Sequence, residues 1–435
     1  MPNFPRIILN LKNALDRLSW SKDKLVKYQQ AKISLIIKNA YDNVPYYHKL
    51  LRENRVYPNE IKTISDLQKI PVTKKMLYRK LPVEELLSKN SNMNELKTQT
   101  TSGSSGQPLK FYLNAMEDDW RKAIYLRCNI SCGQTPFDNW AVITAPRHFN
   151  DTTGIQRITN IFAQHCISVF DKVDAQIEAL RKMHVTVLDG YSGALYLVAK
   201  NVEKNGVRDV KPKMILGSAD LIDVDSRRYI EKTFNAPYYD QYGCAEVNRM
   251  AWQCPERKYY HIDSDSVILE FIGKDGEVVG PGESGEVTLT SLYNVTMPFI
   301  RYAIGDIGQP SKEICTCGRV LPLMEVIEGR SDSFIMLPDG RKISPRVLTV
   351  GLSMFPYYNE IDRFRIVQKK LDSFDVYLSM KNKDMENQLL LDSLSAHFKK
   401  ILNVSENEVA FNGQFVDELP LDKTGRLSAV TSEIK

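Results

Sequence analysis

Between residues 139 and 246 short apolar runs, each ending in a small or polar turn, alternate with stretches of helical spacing, and this pattern restricts the fold more than any other. The runs Trp140 to Ala145, Val185 to Leu188, Met214 to Leu216 and Tyr238-Tyr239 are predicted strands, separated by predicted helices at 171–184, 194–206 and 221–233. Such alternation reads as an α/β region with a largely parallel sheet. Ligands bind such sheets beyond the carboxyl ends of the strands. The segments there are Pro146-Arg147-His148, Asp189 to Gly193, Gly217-Ser218-Ala219-Asp220 and Asp240 to Glu246.

The flanks read differently. Residues 20–56 carry Leu25, Tyr28, Ala31, Leu35, Ile36 and Ala40 at near-helical spacing, ahead of an extended-looking Val44-Pro45-Tyr46-Tyr47. From 265 to 292 apolar alternation around Lys274-Asp275-Gly276-Glu277 predicts antiparallel hairpins, hence a β subdomain. After Gly329-Arg330 the pattern is that of a small α+β module. It has a hairpin at Pro338-Asp339-Gly340, a helix near 345–354, strands near 362–380 and a helix near 386–402, then a polar, turn-rich tail from Asp417. The fold class is therefore α/β, with a large domain at 1–329 and a small α+β domain at 330–435.

Composition excludes the rival classes. Hydrophobic residues are 43% and charged residues 26% of the chain, outside the range of disordered chains and membrane bundles. No apolar run reaches the roughly 18 residues of a membrane span, and the start lacks a signal-peptide pattern, so the expectation is a cytoplasmic protein with no integral membrane segment. The net charge of +5 is concentrated in the first 97 residues, where cations are scattered singly. Scattering of that kind reads as a solvated helical face, and no nucleic-acid partner is expected. Seven cysteines without a secretory signal argue against a disulfide framework.

Four short constellations carry the chemistry. Thr101-Ser102-Gly103-Ser104-Ser105-Gly106-Gln107-Pro108 combines hydroxyls with glycines, so that N–H and O–H donors can converge on an anion; Leu109 to Leu113 after it favours a hairpin loop over a linker. It is not a Walker A loop, since Gly106 is not followed by Lys-Ser or Lys-Thr. Tyr239 to Glu246 offers an aromatic to stack on a base and a carboxylate for Mg²⁺; a helix-start role for Glu246 is the alternative. Arg301-Tyr302-Ala303-Ile304-Gly305-Asp306 presents a carboxylate to ribose hydroxyls, or a turn cap. Gly329-Arg330-Ser331-Asp332 falls at the domain junction.

Taken in this order, the four resemble the adenylate-forming superfamily, and within it the phenylacetate-CoA ligase family with its capsule-biosynthesis and coenzyme-adenylating relatives. Tyr46-Tyr47, Met297-Pro298-Phe299-Ile300 and Cys315-Thr316-Cys317-Gly318-Arg319 add to the likeness, which spans nearly the whole chain. The resemblance implies that Ser102, Gly103, Ser104, Ser105 and Gly106 embrace the ATP phosphates and that Glu246 holds Mg²⁺. Tyr242 with Gly243, and the Ser218-Ala219-Asp220 turn, line the adenine; Asp306 and Arg330 hold the ribose; Asp332 lies near the hinge of a mobile small domain. The family pattern ends in Gly-Lys, whereas this chain has Lys423-Thr424-Gly425-Arg426. Either Arg426 or Lys423 then serves as the catalytic cation, or adenylation is slow or lost.

Cys254, His261, Cys315 and Cys317 form two close pairs that suit tetrahedral Zn²⁺, with buried thiols and a surface histidine as the alternative. His48, His165, His184 and His397 fall in helix-like stretches, and no base stands beside Cys244. Candidate substrate-facing residues are Trp120, Tyr125, Pro146, Arg147, His148, Tyr191, Ser192 and Gly217. Trp120 and Tyr191 are compatible with an aryl acid, and Arg147 with a second carboxylate. The expected activity is ATP-dependent conversion of a small carboxylic acid to an acyl-adenylate, then transfer to CoA. The alternatives are transfer to an amine and a nucleotide- or acyl-binding protein with weakened catalysis. A homodimer is compatible with the sequence but not required by it.

Overall fold

The alternation between residues 139 and 246 is built as parallel strands in the spatial order Gln164–Ser168, Trp140–Thr144, Val187–Tyr191, Met214–Ser218, Tyr238–Cys244. These observations come from a computed structural model that describes residues 3–101, 109–149, 152, 154–219, 221–328, 335–343, 345–417, 419 and 429–434. Every residue of Trp140–Thr144 and of Val187–Tyr191 is buried, as expected of central strands covered on both faces. Gln164–Ser168 lies at the sheet edge and is only partly buried. Its polar residues hid it from the apolar pattern, and His165 therefore lies on a strand rather than a helix. The helices Val173–Lys182, Ser192–Lys204 and Val224–Phe234 fill the gaps where helices were predicted.

The same sheet continues antiparallel beyond Tyr238–Cys244 through Asn248–Gln253, Tyr260–Ile262 and Leu323–Glu328; next to the last lie Tyr302–Ser311, Gly285–Ser291 and Val267–Ile272, antiparallel to one another in turn. The predicted hairpin partners Val267–Ile272 and Gly285–Ser291 pair in register from Val267 opposite Ser291 to Ile272 opposite Glu286. A two-residue strand from far upstream, Thr73–Lys74, pairs parallel with Tyr302 and Ala303.

The chain forms two compact units, Met1–Ile327 and Glu328–Lys435. In the first, the helices Phe4–Arg17, Lys22–Asn43 and Pro45–Glu53 form the expected helical opening. The extended reading of Val44 to Tyr47 is corrected. Only Val44 is extended, as the N-cap, and Pro45 begins the helix, a position where its missing N–H costs nothing and its fixed φ is already helical. Helix Ala115–Ser131 starts in a capping box: Asn114 accepts from the N–H groups of Met116 and Glu117, and Glu117 accepts from Asn114 N at 2.8 Å. The other oxygen of Glu117 accepts from Val295 N at 2.7 Å and Thr296 N at 2.8 Å, tying the helix start to the antiparallel half of the sheet.

One turn of that helix is held by a buried ion network. Arg127 is fully buried and donates to both oxygens of Asp265 at 2.8 Å, to Asp263, and to the carbonyl of Ala14 at 3.2 Å. Trp252 Nε1 donates to Asp263 Oδ1 at 2.9 Å, and Arg17 reaches Asp265 at 3.4 Å. The first helix, helix Ala115–Ser131 and the turn after Tyr260–Ile262 thus share one guanidinium.

The second unit packs helices Pro345–Ser353 and Gln388–Leu402 with a sheet ordered Ala410–Phe415, Ser373–Met380, Ile361–Lys370, Val430–Ser432. Its core includes Leu348, Phe374, Leu378, Leu394 and Phe398. The predicted hairpin appears as Ile335–Met336 against Lys342–Ile343. The tail after Asp417 is not turn throughout: Val430–Ser432 is a parallel strand on Ile361–Lys370. A strand this short has too few residues to show alternation. Among the described residues no helix is long and apolar enough to cross a membrane.

Removing one partner of a buried ion pair strands the others without compensation. Arg127→Met is therefore expected to lower the unfolding free energy by about 3–5 kcal/mol, measured by urea unfolding. Exposed Arg228→Met, whose ion pair with Asp225 at 3.8 Å is solvent-screened, is the control and should change it by under about 1 kcal/mol.

Candidate active site

The site grows from the ends of the neighbouring strands Met214–Ser218 and Tyr238–Cys244, where two glycines allow close approaches that no side chain tolerates. A Cβ on Gly217 would lie 1.6 Å from the Tyr238 hydroxyl, and one on Gly243 would lie 1.9 Å from the Asn248 carbonyl oxygen. Next to Gly217 and Ser218, Ala219 is held at φ +72°, a left-handed conformation that strains a residue carrying a Cβ. Tyr242 projects from the strand and donates to Asp306 Oδ2 at 2.8 Å. Burial, and then the Asp306 charge, push the Tyr242 hydroxyl well above its ordinary pKa, so it remains a donor. These two members of separate motifs, Tyr-Gly-x-x-Glu and Arg-Tyr-x-x-Gly-Asp, are direct partners.

Glu246 is buried, with Lys75 Nζ at 3.0 Å and the Tyr302 hydroxyl at 2.8 Å. Both contacts fall on Oε1. Burial alone would raise the pKa of Glu246, but the Lys75 charge with the Lys75 and Tyr302 hydrogen bonds outweighs it and holds the carboxyl below its ordinary value. An ionised carboxylate oxygen is the donor type that a hard divalent ion such as Mg²⁺ takes, and Oε2 carries neither the Lys75 nor the Tyr302 contact. Lys75 was not visible in the sequence reading. Nothing in a Lys74-Lys75 pair says which lysine turns inward; here Lys74 is exposed and Lys75 is half-buried.

The hydroxyl-rich segment Ser102, Gly103, Ser104, Ser105, Gly106 lies outside the described residues, but its base is well placed. Strands Lys97–Thr100 and Lys110–Leu113 pair antiparallel, Thr101 N donates to the Leu109 carbonyl at 3.0 Å, and Leu109 N donates to Thr101 Oγ1 at 3.0 Å. Phe111 on the returning strand packs 6.2 Å from Phe299, whose ring is 5.1 Å from Tyr302. Tyr47 and Met297 to Ile300, far apart in sequence, also meet: Tyr47 accepts from Ile300 N at 2.9 Å and donates to the Pro298 carbonyl at 3.2 Å. Asp220, Arg330, Asp332, Lys423 and Arg426 lie outside the described residues, as does the side chain of Arg147.

The substrate candidates are not all brought together. Tyr125 donates to Asp189 Oδ2 at 2.6 Å and lies under Arg249, whose guanidinium carbon is 4.5 Å from the ring centre. Tyr191 is buried at the end of the same strand as Asp189, two residues on and so on the same face; its hydroxyl has no partner among the described residues. Ser192 accepts from Tyr238 at 2.8 Å and donates to the Ser218 carbonyl at 3.3 Å, so its hydroxyl ties strands together. Trp120 is committed to another neighbourhood: its indole donates to Ser266 at 3.1 Å, and Arg17 lies 5.0 Å above its ring. Pro146 is exposed and His148 half-buried, in the turn after Trp140–Thr144. Cys244 is pushed well above the usual thiol pKa by burial and the Glu246 charge, which opposes a thiolate role.

Cys254, His261, Cys315 and Cys317 converge, with ligand atoms all within 4.8 Å of one another. Cys254 Sγ to Cys315 Sγ is 3.6 Å and Cys317 Sγ to His261 Nε2 is 3.4 Å. Zinc–sulfur bonds of about 2.3 Å in a tetrahedron would set neighbouring ligand atoms about 3.8 Å apart, so the set fits Zn²⁺. Burial lowers the His261 pKa to about 4, so the ring is neutral and able to ligate.

No protein-family model matches the chain. Curated relatives are distant but long. Phenylacetate-coenzyme A ligase of Thermus thermophilus is 22% identical over 81% of this chain and 80% of its own length. Protein CapK of Staphylococcus aureus is 23% identical over 90% and 86%. Among solved structures, 2-hydroxyisobutyryl-CoA ligase in the postadenylation state with 2-HIB-AMP matches with TM-score 0.76 and 17% identity, over 96% of this chain and 91% of that one. The fold is that of an adenylate-forming CoA ligase. In sequence the chain is similar to the phenylacetate-coenzyme A ligases and CapK, as the motif order indicated.

The Asp189 carboxyl is raised by burial to about 6, against the Tyr125 hydrogen bond and the Arg249 charge. Because the folded-state pKa is above the unfolded value of about 3.9, the fold binds this proton more tightly, and that stability is lost as pH rises from about 4 through 6. Asp189→Asn removes the loss. Its stability relative to the parent chain should therefore rise by about 2–3 kcal/mol between pH 4 and pH 7, measured by urea unfolding at both. A pH-independent difference would count against a buried, titrating Asp189.

Proposed function

We propose that the protein is an AMP-forming acid-CoA ligase that activates a small carboxylic acid with ATP through an acyl-adenylate. The observation that carries this reading is the assembly of Tyr242 with Asp306 and of Glu246 with Lys75 and Tyr302, beside the paired base of the hydroxyl-rich loop. In the first half-reaction a carboxylate oxygen attacks the α-phosphorus of ATP and pyrophosphate leaves. Two anions must be brought together, so the protein's contribution is positioning and charge compensation. Bound Mg²⁺ would supply Lewis-acid stabilisation of the phosphate oxygens at Glu246. Tyr242 lines the adenine and its hydroxyl orients Asp306 toward the ribose; Ser102 to Gly106 donate to the phosphates. Arg426 or Lys423 supplies the cation for the reacting carboxylate. In the second half-reaction the CoA sulfur attacks the acyl carbon and AMP leaves with the electron pair of the broken acyl–phosphate bond.

Acid-dependent exchange of pyrophosphate into ATP, screened over a panel of small acids, tests the first step. Exchange with at least one acid is expected, and CoA should then give AMP and a thioester in equal amounts. Pyrophosphate release with no acid in the panel would remove the enzyme reading, whereas acyl transfer to an added amine but not to CoA would replace the acceptor. Arg426→Ala with Lys423→Ala is expected to abolish exchange while ATP binding, followed by calorimetry, persists.

Zn²⁺ at Cys254, His261, Cys315 and Cys317 has a structural role in this reading. It staples strands Asn248–Gln253 and Tyr260–Ile262 to the connection between Tyr302–Ser311 and Leu323–Glu328. Protein purified without chelators should carry close to one zinc, and Cys315→Ser should lose it and melt at lower temperature. Less than about half an equivalent in the parent protein would argue against the site.

A further inference from the structure

The surroundings of Glu246 impose an order on binding. Its carboxylate side chain is only 3% exposed, while that of Lys75 is 20% exposed, so the carboxylate is out of water and the cation paired with it reaches solvent. An ionised carboxylate out of water needs a counter-charge. Lys75 supplies it, and Tyr302, neutral because burial raises its hydroxyl well above the ordinary pKa, adds only a hydrogen bond. Lys75 is delivered by construction: it follows Thr73–Lys74, whose parallel pairing with Tyr302 and Ala303 is fixed by Thr73 N to the Arg301 carbonyl at 2.8 Å and Thr73 Oγ1 to the Ile300 carbonyl at 3.1 Å. Both groups on Glu246 Oε1 are thus held by one strand pair.

We propose that Lys75 is a positioning residue that keeps the divalent cation from Glu246 until nucleotide phosphates arrive. This rests on the adenylating role proposed for the site. Without phosphates, a divalent cation on Glu246 would sit within a few ångströms of the Lys75 ammonium, and their repulsion in a half-buried place is weakly screened. With a triphosphate present, the compact ammonium on its flexible stem has anionic acceptors, and the same carboxylate serves both cations without net positive charge. Metal and nucleotide therefore bind cooperatively, and Lys75 adds to the coupling that the phosphate oxygens supply as ligands.

Mn²⁺ titrated into zinc-replete full-length protein and followed by electron paramagnetic resonance, with and without ATP, reads this directly. The relevant binding is the part lost in Glu246→Gln. The parent protein is expected to bind Mn²⁺ there at least about tenfold more tightly with ATP than the protein alone does, after correction for Mn²⁺ held by free ATP. In Lys75→Met the nucleotide-free affinity should rise at least about tenfold and the coupling should shrink by the same factor, and Lys75→Arg, which keeps the charge, should restore it. Equal Mn²⁺ affinity with and without ATP in the parent protein overturns the proposal, whatever the variants do, and so does an unchanged nucleotide-free affinity in folded Lys75→Met. Failure of acid-dependent exchange with the coupling intact would instead remove the adenylating role and leave the metal–nucleotide order standing.

Discussion

A guanidinium with no access to water organises the first unit. Arg127 binds Asp265 through both nitrogens, shares Asp263 with Trp252 and reaches back to the carbonyl of Ala14. Planar donors in a fixed fork can satisfy this many acceptors only if the elements that bear them are correctly aligned. The network therefore specifies alignment as much as it contributes stability, which fits the general finding that apolar replacements of whole buried ion clusters need not destabilise. Its consequence for chemistry is indirect. The helix it fixes also carries Tyr125 against Asp189, and Arg121, whose guanidinium donates to the carbonyl of Ala245 at 2.8 Å, next to Glu246.

Elements with strong periodicity were legible in the sequence, since burial on both faces produces continuous apolar runs such as Trp140–Thr144. Gln164–Ser168 and Val430–Ser432 were not, one because it is a half-exposed edge and the other because it is too short. Pro45 falls in a segment whose pattern reads as extended, yet it begins a helix, because only the neighbouring cap geometry distinguishes the two.

For the site, chemistry-bearing residue types in order were enough to put Tyr242, Glu246, Asp306 and the cysteine–histidine set forward as candidates, and the fold gives each polar partners: Tyr242 with Asp306, Glu246 with Lys75, and the cysteines with His261. Sequence could not say which candidates are spent on packing. Trp120 is held by Ser266 and Arg17, and Ser192 by Tyr238, through contacts made across long chain separations. Lys75 escaped for the converse reason. Its relevance comes entirely from a strand pairing that no local pattern announces.

That pairing also has a clock attached to it. Thr73 and Ile300, whose side chain and carbonyl are bonded, lie 227 residues apart along the chain. At roughly 5–20 residues per second of synthesis, the upstream strand emerges on the order of ten to forty-five seconds before its partner exists. During that interval Tyr47, Ile70 and Tyr78, all buried in the finished protein, have no antiparallel half to cover them. A nascent chain of this design is exposed to chaperones and proteases until the ribosome has passed the β subdomain, and the carboxylate acquires its counter-charge only after that delay.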